Sequence, residues 1–131
     1  SKMGETLTIP LPPQVIAWLE ELQTRSYGKE YVFPKRRSSE RQGHISPDTL
    51  NAAIQKLFKQ GKMPVPHFII HDLRRTCRSL LASQGVPAHI AERCLNHKLK
   101  GVEGIYDRYD YLDERRAAIN KLTNLINRYV L

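Results

Sequence analysis

Four residues of this chain have side chains that suit chemistry on a phosphate ester: His71, Arg74, His97 and Tyr106. Arginine presents a planar fork of N–H donors that matches phosphate oxygens, and histidine exchanges protons near neutral pH. A tyrosine hydroxyl, whose ordinary pKa is about 10, becomes a good nucleophile only beside a base and positive charge. Together these side chains can hold a phosphodiester, move its protons and attack it without a metal.

A helix predicted over about 71–84 arranges the first of these residues. At about 100° per residue, His71 and Arg74 share one face with Arg75 and Arg78, and the helix N-terminus adds partial positive charge near His71. This face is typical of a phosphate site, and a basic solvated surface is the alternative. The opposite face is predicted to pack on the core, and it consists of Leu73, Cys77, Leu80 and Leu81.

The remaining pattern predicts a mainly helical fold with a small β element near the N-terminus, in the α+β class. Leu7 to Leu11 is typical of a short edge strand that proline ends, and Tyr31 to Pro34 of a short extended piece. Ser46, followed by proline and an acid, predicts a helix N-cap. Helices are expected from Pro12 to about Gly28 and over about 46–60, 71–84, 87–97, 102–109 and 113–129. Inward positions are expected at Leu50, Ile54, Leu57, Phe58, Ile90, Ala91, Cys94 and Leu95.

The charge balance indicates a polyanionic partner. Lys and Arg number 21 against 13 Asp and Glu, for a net charge of +8 over 131 residues. Because the charge is spread over many segments, nucleic acid is favoured over an anionic membrane. No apolar run approaches the roughly 20 residues that span a bilayer, and no signal-peptide pattern is present, so we expect a single cytoplasmic domain. Cys77 and Cys94 form no CxxC pair and are expected to be buried and reduced.

Three features leave alternatives open. The stretch from Lys35 to His44 is basic and is expected to be an exposed loop, which either contacts phosphate or is only solvated. His97 falls at a helix C-terminus, where a histidine often serves only the helix dipole. Tyr106 has two competitors for a nucleophile in the same stretch, Tyr109 and Tyr111.

The combination of motifs resembles the tyrosine recombinase (phage integrase) family. Its signature is H-x-x-R, here His71 and Arg74, then Leu-small-His, here ending at His97, then the nucleophilic tyrosine, here Tyr106. Asn96 stands where glycine or alanine is common. The residues around and after Tyr106 are similar to those of integrases from prophages and genomic islands. The resemblance covers essentially the whole chain.

The resemblance implies the activity and the residue roles. Tyr106 would attack a scissile DNA phosphate to give a 3′-phosphotyrosyl link and a free 5′-hydroxyl. Arg74 would bind the nonbridging oxygens, and His97 would donate a hydrogen bond to the same phosphate. His71 would position the phosphate and accept the phenolic proton. The first residues resemble the family's β-hairpin, so that Lys2 would protonate the leaving oxygen. No ATP, metal or other cofactor is implied.

The resemblance also implies what surrounds this chain. The family's first catalytic arginine precedes the hairpin lysine, so residues 1–131 are expected to be the later part of a catalytic domain, nearly inactive alone. The expected partners are double-stranded DNA and other integrase subunits in a tetrameric synapse, with no membrane and no small-molecule substrate. Residues expected to contact DNA beyond the catalytic set are Arg36, Arg37, Arg75, Arg78, Lys98 and Lys100.

Other functions compete with this interpretation. A type IB topoisomerase would share the chemistry without exchanging strands, and a DNA-binding module would lack catalysis. A zinc site from His67 and His71 is disfavoured because Pro66 and a loop precede His71. The helix over 113–129 is expected either to pack on its own chain or to dock on a neighbouring subunit. Its apolar stripe consists of Ala118, Leu122, Leu125, Ile126 and Tyr129.

Overall fold

The computed structural model describes residues 8–35, 43–97 and 109–130. The mainly helical prediction is confirmed, since five helices make up most of this part. They are α1 (Pro13–Arg25), α2 (Thr49–Lys59), α3 (Ile70–Ser83), α4 (Ala88–Cys94) and α5 (Leu112–Asn127). The helix predicted over 102–109 lies almost wholly outside the described residues. None of the helices in those three ranges has the length and apolarity needed to span a bilayer.

No strand forms within the described residues, although an edge strand was expected from Leu7 to Leu11. Leu7 itself lies outside the described part. Pro10 and Pro12 lack the N–H donor that a strand ladder needs. The Thr8 carbonyl accepts a hydrogen bond from the buried Arg115 side chain instead of from a neighbouring strand.

The chain divides into two compact units, one of residues 1–14 with 74–131 and the other of residues 15–73. In the first unit, α4 packs against α5. Leu81 is completely buried there, and the predicted core positions Ile90, Ala91 and Leu95 are also buried. Ala118 of α5 is part of the same core cluster, against which Leu122, Cys77 and Cys94 pack.

Two predicted apolar stripes extend beyond this core. Leu73, in the first turn of α3, is 50% exposed, so its predicted core position is wrong. It lies outside the unit that contains the core cluster. In α5, Ala118 and Leu122 pack on their own chain, whereas Ile126 near the end of the helix and Tyr129 beyond it are exposed. The part of α5 up to Leu122 is therefore a core helix in cis.

A tight turn joins α3 to α4. Gly85 has a φ of 71°, a left-handed conformation that glycine adopts without steric cost. The Val86 amide donates back to the Leu81 carbonyl at 3.1 Å, which closes the end of α3. Val86 is buried, and Pro87 then precedes α4.

In the second unit, α2 starts later than predicted. The Ser46 carbonyl accepts from the Thr49 amide, and the Ser46 hydroxyl accepts from the Asp48 amide, so Ser46 opens a turn before the helix rather than capping it. Phe58 packs against the rings of His67 and Phe68 at centroid distances of 4.8 and 5.6 Å. Ile54 and Phe58 are half-buried, but the predicted inward positions Leu50 and Leu57 are exposed.

The predicted extended piece before Lys35 ends in an isolated antiparallel bridge between Pro34 and His44. The Lys35 amide donates to the Gly43 carbonyl at 3.0 Å, and the Ile45 amide donates to the Phe33 carbonyl at 3.1 Å. We call this paired segment the neck. It brings together the two ends of the predicted basic loop.

Candidate functional site

Arg74 and His97 meet within the first unit. Arg74 lies on α3, and its Nε donates a hydrogen bond to Nε2 of His97 at 2.9 Å, across 23 residues of sequence. Another N–H of the same guanidinium donates to the Leu95 carbonyl. Both contacts hold the guanidinium against the C-terminal end of α4. Two of the residues with predicted catalytic roles are therefore in direct contact.

The chain turns sharply after α4 so that His97 faces back along the helix. Asn96 has a φ of 53°, and the His97 amide donates to the Glu92 carbonyl at 2.9 Å. Glycine and asparagine are the residues that take the left-handed conformation most readily. Asn96 thus suits the left-handed turn that this position requires.

Glu92, which the residue pattern did not predict as a site residue, joins two basic side chains at the site. Its Oε2 lies 2.5 Å from Nδ1 of His97, and its Oε1 accepts from Nε of Arg78 at 2.7 Å. The hydrogen bond from Arg78, followed by that from His97, lowers the pKa of the Glu92 carboxyl. The only sequence signal was an acid placed just over one helical turn before His97. We call Arg74, Arg78, Glu92 and His97 the arginine–histidine cluster.

The partners of the His97 ring fix its tautomer. An ionised carboxylate only accepts hydrogen bonds, and a guanidinium only donates them. Nδ1 therefore carries the proton that Glu92 accepts, and Nε2 presents its lone pair to Arg74. His97 is a neutral acceptor in this arrangement, whereas its predicted role is to donate a hydrogen bond to phosphate.

The other predicted residues of α3 have different surroundings. His71 is the second residue of α3 and is exposed. The start of the helix is held by the Asn51 side chain, whose Oδ1 accepts from the Ile70 amide at 2.9 Å. Arg75 is exposed, but Arg78 is not free on an outward face as predicted. It forms an ion pair with Glu92, because α4 places a carboxylate opposite this part of α3.

Several predicted site residues lie outside the described part of the chain. They are Lys2, Arg36, Arg37, Lys98, Lys100 and Tyr106. Tyr111, a competitor of Tyr106, is packed against the core and starts α5 with a φ of 52°. Its ring contacts those of His89 and Tyr109 at centroid distances of 5.4 and 4.7 Å. This packing makes Tyr111 a poor candidate for a nucleophile.

A buried arginine near the start of α5 also went unpredicted. The Arg115 side chain is 2% exposed, and its Nη1 donates to Oδ1 of Asp110 at 2.9 Å. Its other terminal nitrogen donates to the Thr8 carbonyl. The signal lay in the spacing, because Arg115 falls in register with Ala118 and Leu122 of the apolar stripe.

Over residues 8–35, 43–97 and 109–130, no group of three or more His, Cys, Asp or Glu side chains is arranged to hold a metal ion. His67, which with His71 was the alternative zinc site, packs its ring on Phe58. Cys77 and Cys94 are half-buried against the core cluster. Burial raises the pKa of both Cys77 and Cys94.

Comparison with known proteins gives two matches. The family model described as "Phage integrase family" matches residues 1–112. The chain is 30% identical over 126 residues to the prophage integrase IntA of Escherichia coli (strain K12). That alignment covers 95% of this chain and 29% of the relative, so the chain spans less than a third of the relative's length. No solved structure matches the chain.

Proposed function

Because this chain belongs to the phage integrase family, we propose that it supplies the phosphodiester site of a site-specific DNA recombinase. The observation that carries the proposal is the 2.9 Å contact between Nε of Arg74 and Nε2 of His97. These two motif residues are 23 positions apart in sequence, yet their side chains are in contact where α3 lies beside the C-terminal end of α4. A cationic fork beside an imidazole is the arrangement that binds and polarises a phosphate.

The proposed reaction breaks and rejoins a DNA strand without loss of bond energy. The Tyr106 oxygen attacks the scissile phosphorus, the bond to the 5′-oxygen breaks, and a 3′-phosphotyrosyl link forms. His71 accepts the phenolic proton, and Lys2 gives a proton to the leaving 5′-oxygen. Arg74 and His97 bind the nonbridging oxygens. Attack by the 5′-hydroxyl of a partner strand then reverses the steps.

The phosphotyrosyl link keeps the energy of the broken bond, so the scheme needs no ATP. Cationic side chains provide the charge stabilisation, so it needs no metal. Positioned acid–base groups contribute about 10²–10⁴ each in rate, and losing one donor to the transition-state charge costs about 10²–10³. In the proposed role Nε2 of His97 donates to the phosphate, so it carries a proton in the DNA-bound state.

The proposal extends to the context of the chain. We infer that residues 1–131 correspond to the later part of a catalytic domain, which the 29% coverage of the relative supports. The stretch that contains Lys2 would form the family's β-hairpin when paired. The proposed partners are double-stranded DNA in the cytoplasm and other subunits in a four-membered synapse. Arg36, Arg37, Arg75, Lys98 and Lys100 would contact the DNA backbone, together with Arg78 through whichever donors Glu92 leaves open.

The test is covalent capture on a nicked suicide substrate. The longest polypeptide that the gene encodes is incubated with a DNA duplex whose cleaved end diffuses away, and adducts are resolved on a denaturing gel. We expect an adduct whose mapped peptide contains Tyr106, and none from a Tyr106→Phe variant. Tyr109→Phe is the matched control and should form the adduct at the wild-type level.

Other outcomes point to other functions. Binding of the duplex without an adduct would indicate a non-catalytic DNA-binding module. An adduct with plasmid relaxation but no strand exchange between two sites would indicate a topoisomerase. An adduct mapped to Tyr109 would refute the assigned nucleophile.

A further inference from the structure

Glu92 has no role in the proposed reaction, yet it is the residue that organises the arginine–histidine cluster. Its two carboxylate oxygens face different partners, Nδ1 of His97 at 2.5 Å and Nε of Arg78 at 2.7 Å. It lies on α4, and the His97 amide donates to the Glu92 carbonyl, so backbone and side chain both tie His97 to Glu92. A ring held on two sides has little freedom to turn.

The cluster is open enough for a phosphate to enter. The side chain of His97 is 41% exposed, and that of Glu92 is 30% exposed. Arg74 uses two of its five N–H donors within the cluster, on His97 and on the Leu95 carbonyl. The Nε2 edge of His97, where Arg74 now donates, is the edge from which a hydrogen bond to phosphate would come.

We propose that Glu92 is a positioning residue for the phosphodiester site: it fixes the Nδ1–H tautomer of His97 and balances the positive charge that His97 acquires when Nε2 donates to the DNA phosphate. This inference rests on the proposed function. In the DNA-free chain Nε2 accepts from Arg74. When phosphate binds, the Arg74 Nε–H turns to a nonbridging oxygen, and Nε2 takes one proton from solvent. The resulting imidazolium donates from Nε2 to the phosphate and from Nδ1 to Glu92.

The charged groups around the His97 ring determine whether a positive charge on that ring is favoured. Arg74 and Arg78 of α3 face the His97–Glu92 pair and disfavour a further positive charge. Glu92 is the carboxylate bonded to both His97 and Arg78 and opposes that repulsion. The single arginine of α4, Arg93, lies with its guanidinium carbon 4.9 Å from the centre of the Tyr111 ring. Without the Glu92 charge, no carboxylate bonded to the ring offsets the repulsion between the two arginines and an imidazolium.

The first experiment tests the resting state without DNA. Nitrogen-15 NMR of the 131-residue chain should show Nδ1 of His97 protonated and Nε2 unprotonated. In Glu92→Gln, Arg74 still donates to Nε2, but the carboxylate that accepts the Nδ1 proton is gone, so that proton should exchange with water faster than in the wild-type chain. An Nε2–H tautomer in the wild-type chain would overturn the inference without touching the proposed function.

The second experiment measures single-turnover covalent capture against pH in the longest polypeptide that the gene encodes. We expect Glu92→Gln to be slower by about 10²-fold near pH 8 and by less than about 10-fold near pH 6, since acid restores the proton on Nε2. Glu92→Asp keeps the charge and should recover part of the rate at the higher pH. The matched control is Glu21→Gln, which removes a carboxylate paired with Arg25 at 2.5 Å on exposed α1 and should leave the profile unchanged.

The results separate the two proposals. Wild-type capture with a Glu92→Gln profile parallel to wild type overturns the positioning role alone, because a purely structural loss lowers the rate equally at every pH. Absence of wild-type capture overturns the proposed function and this inference with it. A pH-dependent loss with partial recovery in Glu92→Asp supports both.

Discussion

The buried Arg115 offers a sharp test of how the first unit is held together. Its guanidinium is 2% exposed and faces two acceptors, Oδ1 of Asp110 and the Thr8 carbonyl. The Nε of the same guanidinium is also buried, and no hydrogen-bond partner for it lies among the residues that the structure describes. Asp110→Asn keeps the shape and an acceptor oxygen but removes the negative charge opposite a desolvated cation.

The free energy of unfolding that Asp110→Asn should remove follows from how exposed Arg115 and Asp110 are. Breaking a buried ion pair costs about 3–5 kcal/mol, and a hydrogen bond to a charged group is worth about 1.5–3 kcal/mol. Asp110 is 56% exposed, so water already weakens the attraction, and the lower range applies. We expect Asp110→Asn to lower the free energy of unfolding by about 1.5–3 kcal/mol.

Urea unfolding of the 131-residue chain measures this loss as a shift in midpoint. The matched control is Asp113→Asn, the same substitution in the exposed ion pair with Arg116 at 2.7 Å, where the loss should stay below about 1 kcal/mol. A double-mutant cycle with Arg115→Met isolates the pairwise energy, because Asp110→Asn should cost little once the buried cation is gone. Equal losses for Asp110→Asn and Asp113→Asn would refute the reasoning.

Three further predictions follow from the packing and the pKa shifts. Leu81→Ala should cost about 2–5 kcal/mol in urea unfolding because its side chain is fully buried, whereas Leu73→Ala, on the exposed first turn of the same helix, should cost less than about 1 kcal/mol. The contacts of Glu92 in the folded chain lower its pKa below the ordinary value of 4.5. The stability that these contacts provide is therefore present above pH 4.5 and is lost as the pH falls through the lowered pKa. Acid unfolding of Glu92→Gln should lack this loss. Burial raises the pKa of Cys77 and Cys94, so iodoacetamide should alkylate them more slowly near pH 8 than it alkylates glutathione, and equal rates would contradict their burial.

The sequence predicted the core positions that follow from helical periodicity. Leu81 and Ala91 were placed in the core by helical spacing, because burial of an apolar face follows from the local pattern alone. The predicted strand failed, since strand pairing needs a partner that the local pattern does not supply. The burial of Arg115 was missed for a related reason: a long charged side chain is normally exposed, and its partner Asp110 becomes visible only when the loop before α5 is placed.

In the candidate site, too, the residues found from the sequence depend on local spacing, and the residue that was missed depends on tertiary packing. The H-x-x-R motif and His97 could be found from residue types and spacing, and Arg74 and His97 do meet. The role of Glu92 could not, because α4 brings its carboxylate to Arg78 of α3 through tertiary packing. The same packing turned Arg78 from an outward cation into a partner of Glu92.

The neck between Pro34 and His44 affects which changes of sequence and length the stretch between its two sides can tolerate. Two backbone hydrogen bonds join its sides, so the ends of the intervening stretch are fixed whatever that stretch contains. Closing a flexible loop twice as long costs only about 0.6 kcal/mol more. Insertions, deletions or a grafted epitope between these anchor points should therefore be tolerated. Gly43 is a poor place for such a change, since a Cβ there would clash with the Tyr31 ring, which packs against His44.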